Sequence, residues 1–167
     1  MFKRRTLLWV LAWAVALAGA PATVSAGEAV TVVELFTSQG CNACPPADAL
    51  LIDLAAMQDS DDLIVLGFHV NYWDYLGWAD TFADETTTGR QRAYMDPFSL
   101  RSVYTPQIVV DGVAQIAGSD RSAVMEAIAA SQGKSIIMTA TPRVIPQEDG
   151  LYLKLERAPL EGEADVW

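Results

Sequence analysis

The sequence is poor in the residues that build metal centres and disulfide scaffolds, with two cysteines and one histidine among 167 residues. Two cysteines exclude a disulfide-dense scaffold. With a single imidazole they also fall short of the four ligands of a structural zinc site, unless carboxylates or a second chain contribute. Positive charge is scarce as well. Eleven Lys and Arg against 21 Asp and Glu leave a net charge of −10, which argues against nucleic acid and anionic membrane surfaces as partners. The longest apolar run is short of the roughly 20 residues that a membrane-spanning helix needs, and no tract is of low complexity. What is present is an apolar content of 51 %, enough for a core, in a chain whose length suits one domain with an appendage.

The short apolar run has its own meaning. Lys3-Arg4-Arg5 precedes Leu7 to Ala18, and Val24-Ser25-Ala26 stands before Gly27. A positive start, a short apolar stretch and a small-x-small site predict a secretory signal peptide over 1–26. Arg4-Arg5 lacks the preceding Ser or Thr of a twin-arginine signal and reads as an ordinary charged start. No cysteine follows closely enough to accept a lipid anchor. The expected location is periplasmic or secreted, with no stable membrane association once the signal is cut. There a disulfide can persist. Losing three positive charges takes the net charge to about −13.

Beyond the signal, Val30 to Phe36 is rich in β-branched and apolar residues and predicts a buried strand. Ala47, Leu50, Leu51, Leu54 and Ala55 recur at helical spacing. Asp59 to Asp62 reads as a polar turn, and Leu63 to Phe68 as a second buried strand, parallel to the first. An aromatic segment follows from Tyr72 to Trp78. Asp80 to Met95 reads as partly helical, interrupted at Gly89, with Arg90 and Arg92 on a solvated face. Val103 to Val110 predicts a third strand, and Asp111-Gly112 a hairpin turn into Val113 to Ala117. Ser119 or Asp120 can cap a final helix that Gly133 ends. The α/β order is βαβ, a helical insertion at about 71–102, then ββα, within a domain over 27–133. From 134 to 167 the pattern changes to short alternating strands, 136–141 and 151–155, with turns at Pro142, Pro146 and Asp149-Gly150. This predicts the start of a β-rich appendage that Trp167 leaves incomplete.

The chemistry centres on Cys41-Asn42-Ala43-Cys44-Pro45, between the first strand and the first helix. There a thiolate gains from free backbone N–H groups and the positive end of the helix dipole, and a second sulfur three residues on can resolve a mixed disulfide. Strand, C-x-x-C and helix together are the arrangement of a thioredoxin-like redox site. Half a metal site or a plain structural disulfide would show the same two cysteines. Thr105-Pro106 stands where such a topology puts a cis peptide, and an edge-strand Pro is the bland alternative. Glu34, a carboxylate inside an apolar strand, is costly to bury without a purpose. It could take and return the proton of Cys44, or simply face solvent. His69 could be a third ligand, a proton shuttle or a hydrogen-bonded structural residue. Trp73 and Trp78 could line a groove or cover the core.

These residues resemble the thioredoxin superfamily. More narrowly, Val33 to Cys41, Cys44-Pro45-Pro46-Ala47-Asp48, Phe68 to Trp78 and Tyr104-Thr105-Pro106-Gln107 resemble an uncharacterised family of exported bacterial thioredoxin-like proteins, over about Val30 to Gln132. The resemblance implies a redox fold with a helical insertion and a trailing β-module. It makes Cys41 the attacking thiol, Cys44 the resolving thiol and Pro106 the cis-Pro that packs on the disulfide. Thr105 would offer its backbone to the substrate; among the aromatics, which read first as packing, Trp73 and Trp78 are the groove candidates. Glu34 matches the superfamily's buried acid only if the Ser38-Gln39-Gly40 loop is one residue longer than usual. Asn42-Ala43 supplies neither the Pro nor the His often found between such cysteines. The expected activity is thiol–disulfide exchange with partner proteins, without a cofactor or metal. The competing expectations are a copper-type carrier using Cys41, Cys44 and His69, and a binding protein that keeps the fold without turnover.

Overall fold

The computed structural model describes residues 30–58, 62–132, 142–147 and 149–155. The expected signal peptide, most of the 59–62 turn and the expected strand at 136–141 lie outside them.

Strand β1 (Thr31–Thr37) is the centre of the fold. It pairs in parallel with β2 (Leu63–His69) and antiparallel with β3 (Gln107–Val110), which pairs in turn with β4 (Ala114–Ala117). The sheet order is β2-β1-β3-β4. β1 is covered on both faces and buried almost throughout, its polar Thr31, Glu34 and Thr37 included. Strand alternation sends Val33 and Leu35 to one face and Glu34 and Phe36 to the other. On the first face, Val33, Leu35, Ile108 and Val110 pack against Ala47, Leu50 and Leu54 of α1 (Pro45–Ala55) and Val124 and Ile128 of α3 (Arg121–Gln132). On the second, Phe36, Val70 and Val109 pack with Phe68, Tyr72, Trp73, Tyr94 and Phe98. Helix α2 (Glu85–Ala93) lies on this side. The fold is the expected thioredoxin-like α/β order, followed by a separate hairpin of β5 (Pro142–Gln147) and β6 (Gly150–Leu155).

Some expectations need correction. β3 begins only at Gln107, because Pro106 has no N–H for a ladder bond. Gly89 does not interrupt α2. Asp84 caps that helix through the Thr86 N–H (2.6 Å), and Arg90 and Gln91 anchor it to the sheet side, outweighing one glycine. Pro142 and Pro146 are not turns but lie inside β5, where a two-stranded hairpin tolerates a missing donor. The Asp111-Gly112 turn is as expected, with both residues at positive φ (49° and 67°). Asp111 also accepts the Val32 N–H (2.6 Å) and the Ser131 hydroxyl, so one side chain ties the hairpin to β1 and α3.

Candidate active site

The chain leaves β1 at Thr37 and winds into α1 through the cysteines. The Cys41 N–H donates to the Ser38 carbonyl (3.1 Å) and the Cys44 N–H to the Cys41 carbonyl (3.2 Å). Gly40 packs closely on Trp73: a Cβ there would sit 3.0 Å from the Trp73 Cβ, so a side chain would push the indole by a few tenths of an ångström. Cys41 and Cys44 form a disulfide. Cys44 is fully buried and Cys41 is 4 % exposed, so the sulfur pair lies just beneath the surface that Asn42 and Ala43 present.

Thiolate stabilisation by free N–H groups of the helix end needs correction. Cys44 is the N-cap of α1, with prolines at the first two helical positions, and a proline has no N–H to offer. The next donor, the Ala47 N–H, is bound to the Cys44 carbonyl (2.8 Å). The dipole remains, but the donors do not. Among the described residues, the N–H groups of Asn42 and Ala43 are those left without a partner between the sulfurs.

Pro106 comes to the first turn of α1. A Cβ placed on Gly118 would lie 3.0 Å from the Ala47 Cβ and 3.1 Å from the Pro106 Cβ, so glycine lets these residues approach without pushing either aside. The Thr105–Pro106 peptide is cis. The Pro106 carbonyl accepts the Gly118 N–H (2.9 Å), and Thr105 Oγ1 accepts the Trp73 indole N–H (2.7 Å). Among the described residues, the backbone N–H and C=O of Thr105 have no partner.

Glu34 is not placed for proton relay. It points to the sheet face opposite α1, the helix that Cys44 caps. There it accepts from Arg90 Nε (3.1 Å) and Nη2 and from the Tyr94 hydroxyl (3.1 Å). Arg90 is thus a half-buried partner rather than a solvated residue, and its guanidinium also lies over the Phe68 and Tyr94 rings. The hydrogen bond to Glu34 raises its pKa, against the opposing effect of burial. Burial and the Glu34 charge push Tyr94 up to about 12. Arg92, the other expected surface cation, is exposed and pairs with Glu85 (3.0 Å).

His69 is hydrogen-bonded, its Nδ1 2.6 Å from Asp80 Oδ2. Asp80 is buried, and burial works against its ionisation. The N–H of Gln39, the His69 ring and the N–H of Phe82 together outweigh that and hold it below the usual carboxylate range. Asp80 therefore ties β2, the aromatic insertion and the loop before Cys41 at one point. Among the described residues no three His, Cys, Asp or Glu side chains form a metal-holding group, so Cys41, Cys44 and His69 do not converge as the carrier alternative requires. Trp73 is half-buried in the second core. Trp78 is 61 % exposed, its indole N–H on Gln39 Oε1 (2.8 Å), and Tyr75, Leu76 and Phe82 are exposed in the same insertion.

Residues 32–167 match a family described as protein of unknown function (DUF1223). The chain belongs to this family. A crystal structure of an Agrobacterium tumefaciens protein is similar to this DUF1223 chain at 37 % identity, with a TM-score of 0.61. The match covers 78 % of this chain and 58 % of that one, so the chain spans little more than half of that protein's length. No curated protein matches the DUF1223 chain. Asp80 and Gln91 were not legible as site-building residues. An acid in a polar stretch and a Gln on a polar helix both read as solvent-facing.

Proposed function

We propose that this protein is an exported thiol–disulfide oxidoreductase of the thioredoxin superfamily, acting on partner proteins. The observation that carries this reading is the Cys41–Cys44 disulfide at the strand-to-helix junction, with Trp73 packed against Gly40 and bonded to Thr105, whose backbone N–H and C=O have no partner among the described residues. In the reduced protein the Cys41 thiolate attacks one sulfur of a partner disulfide. The partner's S–S bond breaks, and its other sulfur leaves as a thiolate that takes a proton from water. Cys44, losing its own proton, then attacks Cys41 in the mixed disulfide and releases the partner's second thiol. Two electrons pass to the partner and the Cys41–Cys44 bond forms; the reverse sequence oxidises a partner dithiol. Thr105 holds the partner chain by β-pairing, and Trp73 and Trp78 flank it.

The test is trapping from the compartment in which the protein is expressed. Cys44→Ser is expected to accumulate mixed disulfides that dithiothreitol releases, and Cys41→Ser to abolish both trapping and turnover of model disulfides. Full turnover by Cys41→Ser would sink this reading. Export is checked by the mass of the protein's N-terminus, expected to begin at Gly27.

A further inference from the structure

The segment around Pro106 is held by a side chain that no motif marks. Gln91 of α2 is fully buried and uses both donors of its amide. Its Nε2 donates to the Tyr104 carbonyl (2.8 Å) and to Gln107 Oε1 (2.9 Å), while its Oε1 accepts from the Tyr72 hydroxyl (3.1 Å). The adjacent Trp73 holds Thr105 through Oγ1. Gln107 turns its oxygen to Gln91 even though its own buried Nε2 finds no partner among the described residues. The segment is thus pinned on both sides of Thr105 and at Thr105's own side chain, while the Thr105 backbone is left open. Only an amide supplies two donors and an acceptor in one plane here; a carboxylate lacks the donors and an aliphatic chain lacks both.

We infer that Gln91 is a positioning residue, which by holding the Tyr104 carbonyl fixes the Thr105 backbone as an open edge where an extended partner chain pairs on its way to Cys41. This deepens the oxidoreductase reading and rests on it. A small thiol needs access only to the sulfur, whereas a peptide needs the edge as well. Losing Gln91 therefore separates the two reagents, which a merely structural role would not do.

The experiment compares reduction of the Cys41–Cys44 disulfide by dithiothreitol and by an unstructured cysteine-containing peptide, in the full chain. In Gln91→Glu the peptide rate constant is expected to fall roughly tenfold while the dithiothreitol rate and the reduction potential stay within about twofold of the parent. Tyr72→Phe removes only the hydroxyl that orients Gln91, and a smaller loss of the same selectivity is expected. It decides the matter if Gln91→Glu fails to fold. Equal losses toward both reagents, or no loss toward the peptide, overturn the positioning role and leave the oxidoreductase reading standing. A parent protein inert to both reagents overturns the two together.

Discussion

Glu34 and Arg90 meet with the acid 5 % and the guanidinium 21 % exposed, so removing either partner strands the other with little water to solvate it. Arg90→Met is expected to cost about 3 kcal/mol in urea unfolding, at the low end for a broken buried pair because the Tyr94 hydroxyl still donates to the stranded Glu34. Glu34→Gln should leave the pH profile of dithiothreitol reduction unchanged. A shifted profile would restore the relay that its position on the far sheet face argues against. Tyr94, in the same cluster, has a pH signature of its own. Its hydroxyl ionises near the ordinary tyrosine value of 10.0 in the unfolded chain and near 12 in the folded one. Above pH 10 the unfolded state therefore releases the proton first, and stability that is complete below pH 10 is lost as pH rises toward 12. Tyr94→Phe should flatten that alkaline limb in a series of unfolding curves. Tyr72 and Tyr104, both raised by burial, contribute to what remains.

Helix α2 carries a correctable weakness. A Cβ on Gly89 would meet nothing within 4 Å, so Gly89→Ala is expected to stabilise by about 0.5–1 kcal/mol, read as a rise in the urea midpoint at constant slope. The same helix shows where sequence reasoning works and where it stops. β1, α1 and β2 were legible because β-branched runs and three-to-four spacing report directly on burial. The Cys41–Cys44 disulfide and the cis peptide before Pro106 were legible because both have a set place in this topology. Arg90 and Gln91 were not, because a polar side chain on a helix reads as solvated until its partners are known. Those partners, Glu34 and Gln107, lie 56 and 16 residues away in the chain. Glu34 was readable as a purposeful buried acid but not in its direction, since strand alternation fixes its face only once α1 is seen to cover Val33 and Leu35. β5 failed for a related reason. Two prolines argue against a central strand, whereas β5 pairs only with β6 among the described residues.

Among the described residues the hydrophobic core falls into two clusters, one on each face of one sheet, and none of their residues lies beyond Ile128. A chain ending at Gly133 is therefore expected to melt within about 5 °C of the full one by circular dichroism, and to keep its reactivity toward dithiothreitol. A large drop would mean that the hairpin supports the domain. The prolines that open α1 bear on the thiol–disulfide exchange proposed above. Each locks its backbone near φ −65°, so the turn carrying Cys44 has almost no slack to take up when the bond to Cys41 opens. Charged with electrons or spent, the protein should keep one silhouette, with amide chemical-shift changes confined to the neighbourhood of residues 40–48 and 104–106. On the proposed exchange, a visitor could not tell the two states apart by outline before it touches sulfur. Discarded and productive encounters would then begin alike, and sorting them falls to the speed with which each wrong visitor leaves.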